Sequence, residues 1–405
     1  MAETLEADFF EEEVRCDYKV TKEIKKLWAV ELDLIAKLKE VCEKYNLKFF
    51  MSGGTLLGAV RHQGFIPWDD DADFLMPRED FERLKKIAPD EFQDPYFLQT
   101  EENEPDIFLG GFARLRNSQT TKITYVHLNR NANLGIWIDI SVLDNIYEDV
   151  NRRREQIKKI RYYQRLLFAK AYGELDKFLE VTPQYWKTLK TRASLLSRDS
   201  VIKKLLTEHM DCENSNYLAC FTYHPDRYWP NLLEASYYSE SIMMKFENLE
   251  LPAPIGYEQQ LKILYGDNYM SYPPADQRTP AHLGSLNTEV SYKKFILNFD
   301  KFALDHKELN QKAIVIFGAG QMLEHYLEHQ GEKYPPTYVT DNNQSKWGTR
   351  IHNIPVIPPD DILSLADENA IIIICSIYYR EISRQLKEMG ADQFYIYVQE
   401  KDWLF

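Results

Sequence analysis

The segment Asp69-Asp70-Asp71-Ala72-Asp73 sets four carboxylates within five residues and runs directly into Phe74-Leu75-Met76, with Phe65, Ile66 and Trp68 just before it. Like charges held between apolar residues are unfavourable unless something binds them, so this stretch restricts the chain more than any other. Taken alone, an acidic cluster reads as a surface loop. The apolar flanks argue instead for a strand across residues 71–76. Side chains alternate along a strand, which puts Asp71 and Asp73 on one face and turns Ala72 and Phe74 toward a core. Two carboxylates so close call for a cation, and hard oxygen ligands suit Mg²⁺. Upstream, a short strand over 47–51 leads through Ser52-Gly53-Gly54-Thr55 into a helix over 56–61. Glycines admit close backbone approach, and a helix start offers free amides to phosphate. Metal-holding acids beside such a turn meet the needs of phosphoryl transfer, which are neutralised charge and an aligned attack.

Around this stretch the pattern alternates. Residues 20–45 keep a helical period through Leu27, Val30, Leu34 and Leu38, with Thr21 as the N-cap. Pro77 opens a polar helix over 78–87. Strands are expected over 112–115, 122–127 and 135–142. Long helices follow from 150 to 210, and 152–170 carries eight Lys or Arg against one acid, Glu155. Residues 215–300 are mixed and rich in Tyr and Pro. In the last hundred residues a strand over 313–317 ends in Gly318-Ala319-Gly320 and precedes a helix to 329. Further strands over 337–340, 370–376 and 394–398 alternate with a helix over 380–389, which implies a parallel sheet. The expected division is 1–150 as a catalytic core, 151–305 as its helical and Pro/Tyr-rich remainder, and 306–405 as a C-terminal module, with the boundary within 299–311.

Composition removes several classes of function. Charges of 49 Lys and Arg against 63 Asp and Glu leave −14, which argues against nucleic acid as a partner. No apolar run approaches the roughly 20 residues that span a bilayer. The acidic N-terminus lacks the basic and apolar regions of a secretory leader, so a cytoplasmic protein is expected. Five cysteines form no C-x-x-C pair and read as reduced thiols. His209, Cys212, Cys220 and His224 lack zinc-finger spacing and are not taken as a metal site.

The long motif Gly54-Thr-Leu-Leu-Gly-Ala-Val-Arg-His-Gln-Gly-Phe-Ile-Pro-Trp-Asp-Asp-Asp-Ala-Asp73 resembles the LicD family, and Gly53-Gly54 before Asp71-Ala-Asp73 resembles the signature of the nucleotidyltransferase fold. The likeness continues through Arg114-Leu-Arg116, Gly135-Ile-Trp-Ile-Asp139, Tyr265-Gly-Asp267 and Tyr272-Pro273-Pro274, with Arg278 and His282 downstream. Where the family usually has Phe-Pro after the Asp139 strand, this chain has Ser141-Val142. The resemblance implies an α/β chain: a nucleotidyltransferase-like mixed sheet with helices, to which a C-terminal Rossmann-like parallel-sheet module is appended. The family includes phosphocholine transferases and is related to the fukutin-type ribitol-phosphate transferases.

By that resemblance Asp71 and Asp73 hold Mg²⁺ (or Mn²⁺) and the donor diphosphate. Asp139 is the third carboxylate, a metal ligand or the base for the acceptor hydroxyl; the alternative is a strand-end acid facing water. Gly53, Gly54, Thr55, Arg61, Arg114, Arg116 and His282 are the expected donor-binding residues, although Arg114 and Arg116 equally suit a solvated strand face. The implied reaction moves phosphocholine, or a related alcohol phosphate, from CDP-choline or another CDP-alcohol to a hydroxyl of a cell-surface glycan or teichoic-acid precursor, releasing CMP. The basic 152–170 helix suits either peripheral contact with the inner face of a membrane or a solvated face. A homo-oligomer is compatible with all of this. The rival readings are a ribitol-phosphate-type transferase, a non-catalytic nucleotide- or glycan-binding protein, and a dehydrogenase using the C-terminal glycine turn, where Leu323 stands in place of a third glycine.

Overall fold

The computed structural model describes residues 5–124, 131–172, 182–222, 229–280, 284–293 and 313–397, the last with short gaps at 330, 333, 363, 365–369, 377 and 392–393. His224, His282 and the expected boundary at 299–311 lie outside the described residues.

A 24-residue helix, α1 (Lys22–Tyr45), begins where Thr21 Oγ1 accepts the Ile24 amide, and it ends in left-handed Asn46. Its buried stripe of Leu27, Leu34, Ile35, Leu38 and Val41 packs on a sheet whose inward residues include Phe74, Met76, Ile138, Ile140 and Val142. Burying each such side chain contributes about 1.5–3 kcal/mol. An N-terminal hairpin, β1 (Glu13–Arg15) and β2 (Tyr18–Val20), precedes the helix.

The main sheet is built on β3 (Phe50–Met51), β4 (Asp73–Pro77) and the ten-residue β8 (Ile136–Asn145). Strand β4 runs antiparallel to β3 and parallel to β8, with Asp73 opposite Asp139. The other edge of β8 is shared. Its first half pairs with β6 (Ala113–Asn117), itself paired with β5 (Tyr96–Gln99), and its last residues pair with β9 (Tyr217–Cys220). Strand β7 (Thr121–Thr124) pairs separately with β13 (Gly284–Asn287), and α3 (Arg78–Glu91) follows β4 with Pro77 at its N-cap. The mixed sheet thus agrees with the expected α/β class.

The expected acidic strand is shorter than parity suggested, because β4 begins at Asp73 and residues 69–72 form an irregular ribbon. Ala72 and Phe74 are nonetheless fully buried, as alternation predicts.

Helix α4 (Val150–Tyr172) buries Ile157, Ile160, Leu166 and Leu167 against α5 (Pro183–Leu195) and α6 (Arg198–His209). Several of its basic residues have partners within the chain. Lys158 pairs with Glu155, Lys159 pairs with Glu208, Arg152 lies over the Tyr147 ring, and Arg153 donates to the carbonyls of Tyr147 and Glu148. Among the described residues no helix is long and apolar enough to cross a membrane.

The C-terminal sheet has the order Arg350–Ile351, Ile354–Ile357, Tyr338–Thr340, Ile314–Phe317, Ile371–Ile374, Tyr395–Ile396, and all pairs but the first are parallel. The glycine turn after Phe317 is closed from within. Asp341 Oδ2 accepts the Ala319 amide at 2.8 Å and Lys346 Nζ at 3.1 Å, and Leu323 is fully buried where a third glycine would stand. Asp341 therefore holds the turn itself.

Candidate active site

Helix α2 (Gly53–His62) starts directly after β3, and its first residues cross the start of β4. Gly53 sits at φ +51°, and a Cβ built there would stand 2.7 Å from Asp73 Oδ2. A Cβ at Gly54 would overlap the Asp69 carboxylate. Both glycines are thus required because carboxylates press on the turn. Thr55 is buried and uses its hydroxyl to accept the Asp73 amide at 2.8 Å. It thereby ties the turn to the first residue of β4.

Carboxylate oxygens of Asp71, Asp73 and Asp139 all lie within 4.8 Å of one another, and a second such group comprises Asp69, Asp70 and Asp71. Asp69, to which the sequence assigned no separate role, therefore joins the cluster through Asp71. The electrostatic consequence is large. Burial, then the charges of Asp71 and Asp139, hold the Asp73 carboxyl well above its ordinary range, with Arg114 opposing. Burial and Asp71 do the same to Asp69. A site that penalises its own ionisation, with hard oxygens converging from two strands and a loop, fits a divalent cation.

Asp139 is oriented from two sides. Arg114 Nε donates to Oδ1 at 2.9 Å, and Trp137 Nε1 donates to Oδ2 at 3.3 Å. The antiparallel register explains the first contact, since Arg114 stands directly opposite Asp139. Arg116 shares that strand face, as parity predicts, but it is fully buried. Its guanidinium lies 4.8 Å from the Trp137 ring centre and donates to Gln99 and to the Gly135 carbonyl. Burial, then Arg114, lowers its pKa well below the usual range. Arg116 is thus a support beneath Trp137.

Arg61 spends Nη1 on the carbonyls of Tyr269 and Ser271 and Nε on His62, tying α2 to the loop after α7 (Tyr257–Tyr265). Burial, then the Arg61 and Arg15 charges, pushes His62 down to about 4, so it is neutral near pH 7. Around it Trp68, Tyr272, Arg61 and Arg278 form a cluster in which His62 stacks on Tyr272, Trp68 meets both rings edge-on, and each guanidinium lies 5.2–5.9 Å from the ring centres.

Sequence reasoning passed over Glu31 and Lys122 entirely. Both are buried, with Lys122 Nζ 3.5 Å from Glu31 Oε1 and also donating to the Asp70 carbonyl. Burial pushes Glu31 up to about 8 against the pull of Lys122. A charged residue within an otherwise apolar helical stripe was the available signal for Glu31. A separate acid–base group, Arg78 with Asp144 and His209, lies at the opposite end of β4 and β8.

Fold and site together define a nucleotidyltransferase-type α/β domain. Residues 46–170 match the family described as LicD/FKTN/FKRP, nucleotidyltransferase domain, and residues 310–397 match the C2185-like, N-terminal family. The chain is 26% identical over 254 residues to the lipopolysaccharide cholinephosphotransferase LicD of Haemophilus influenzae, spanning 62% of this chain and 93% of that protein. Over 56 residues it is 48% identical to an uncharacterized protein of Rickettsia prowazekii and 46% identical to one of Rickettsia typhi, covering 14% of this chain and 21% and 18% of theirs. The LicD/FKTN/FKRP match covers the part of the chain that carries the carboxylate cluster, and the likeness to LicD extends well beyond it.

Proposed function

We propose that this protein is a Mg²⁺-dependent transferase that moves phosphocholine from CDP-choline to a hydroxyl of a cell-surface glycan, releasing CMP. The observation that carries this reading is the meeting of Asp71, Asp73 and Asp139 within 4.8 Å beside the Gly53-Gly54 turn. The similarity to a lipopolysaccharide cholinephosphotransferase supports the choice of donor alcohol and of a glycan acceptor. Asp71, Asp73 and Asp139 would hold the cation, which when bound neutralises the donor phosphates and steadies the leaving group. The glycines at the start of α2 let the Asp73 and Asp69 carboxylates pack against the turn, so that a cation bound by the cluster, and the diphosphate it would neutralise, would lie beside the first residues of the helix. Asp139, aimed by Arg114 and Trp137, takes the proton of the acceptor hydroxyl as that oxygen attacks phosphorus in line.

Incubation with Mg²⁺, a glycan acceptor and a panel of CDP-alcohols, followed by measurement of CMP, tests the proposal. CMP release with CDP-choline, lost on chelation, is the expected result. Release only with CDP-ribitol would transfer the assignment to the ribitol-phosphate reading, and no release with any donor would overturn it.

A further inference from the structure

The ribbon that carries Asp71 has no regular secondary structure, so its geometry depends on what holds each peptide. Asp69 O accepts Trp28 Nε1 at 3.0 Å, Ala72 O accepts the Asp139 amide at 2.8 Å, and Asp73 O accepts the Ser52 amide at 3.0 Å. Asp70 O accepts Lys122 Nζ. The carbonyls on either side of Asp71 are therefore both pinned, one by a main-chain amide and the other by a side-chain ammonium. That ammonium is 4% exposed, lies 4.4 Å from the Trp137 ring centre, and faces Glu31, which is 0% exposed. A charged donor in so dry a place holds a carbonyl more firmly than a neutral one. The acid that faces it is Glu31, 3.5 Å away on α1 and outside the matched family domain.

We propose that Lys122, held in place by Glu31, is a positioning residue for the carboxylate centre: it fixes the Asp70 peptide so that Asp71 meets Asp73 and Asp139 at the spacing a divalent cation needs. The inference rests on the metal reading of the previous subsection. Supports of this kind typically change metal affinity by about 10–100-fold when removed. Trp137 couples the same group to Asp139, because its ring faces Lys122 while its Nε1 donates to the Asp139 carboxylate.

The test is Mn²⁺ binding to the full chain, followed by electron paramagnetic resonance, with thermal midpoints recorded in chelator. The informative variant is Lys122→Met combined with Glu31→Gln, which removes the ammonium without stranding a buried carboxylate. It should bind Mn²⁺ about tenfold or more weakly. Glu31→Gln alone leaves the ammonium in place and should weaken binding by about threefold, the smaller effect expected of a residue acting through Lys122. Asp73→Asn serves as the reference that loses binding. Mn²⁺ affinity within about twofold of the parent in the double variant, whether or not its midpoint falls, would overturn the inference, since a purely structural support lowers stability and leaves metal affinity alone. Should the double variant not fold, unchanged affinity in Glu31→Gln has the same consequence. Absence of Mn²⁺ binding by the parent chain would instead refute the metal reading itself, and this proposal with it.

Discussion

Replacing Asp73 by Asn keeps side-chain volume and removes one charge from a group of carboxylates that oppose each other. Oxygens of Asp71 and Asp139 lie within 4.8 Å of an Asp73 oxygen. At that separation and an effective dielectric near 20, each like-charge pair costs about 3.5 kcal/mol. Arg114, bound to Asp139 at 2.9 Å, offsets roughly one of the two pairs at the same dielectric. The net relief in metal-free protein is then about 3 kcal/mol. At about 2–4 °C per kcal/mol this raises the midpoint by several degrees in chelator. The sign has a pH signature. Asp73 has a raised carboxyl pKa, from burial first and then from Asp71 and Asp139, so in the parent protein ionising it costs stability as pH rises above the ordinary carboxylate range. The advantage of Asp73→Asn should therefore grow from pH 5 to pH 8 and shrink toward pH 4. Adding Mg²⁺ should stabilise the parent, leave the variant unmoved and close the gap, while turnover in the variant is lost. Differential scanning calorimetry at several pH values, with and without Mg²⁺, measures all of this. A variant equal to or less stable than the parent in chelator at pH 8 would refute the picture of confronted charges.

Three further outcomes follow from single contacts. Gly53→Ala places a Cβ 2.7 Å from Asp73 Oδ2 at φ +51°, so it should cost about 1–2 kcal/mol in chemical unfolding and abolish CMP release. Asp139→Asn should lower turnover by about 10²-fold or more, with a smaller loss of donor affinity by calorimetry than in Asp71→Asn, because its main task is the acceptor proton. At Asp144, burial opposes ionisation, but Arg78 and His209 hold the carboxyl down to about 2 from 3.8, which is worth on the order of 2 kcal/mol. That stabilisation is complete above about pH 4 and lost as pH falls toward 2, so Asp144→Asn should destabilise strongly at pH 7 in urea titrations and progressively less below pH 4.

The local chemistry of this protein was legible in its sequence wherever neighbours along the chain decide the matter. Alternation placed Ala72 and Phe74 in the core, the helical period of 20–45 and its Thr21 cap produced α1, and Pro77 marked the start of α3. The glycine pair and the acidic ribbon stood out because their spacing is itself the chemical requirement. Even there the likeness to a family, and not the residues alone, singled out Asp139, 66 positions beyond Asp73.

What tertiary structure alone decided is which side chains are spent on the protein and which remain for a ligand. Parity put Arg114 and Arg116 on one face, yet only register and depth give Arg114 to Asp139 and bury Arg116 beneath Trp137. Thr55 turned out to bind a strand amide, Arg61 a loop, and Asp341 its own glycine turn. Asp69 entered the carboxylate cluster, and the Glu31–Lys122 pair lies beneath it, drawn from a helix and a strand 91 residues apart. The physical reason is common to all of these. Hydrogen bonds and charge interactions act over a few ångströms, and partners so far apart in the chain become neighbours only when apolar burial has fixed the sheet and the helix across it.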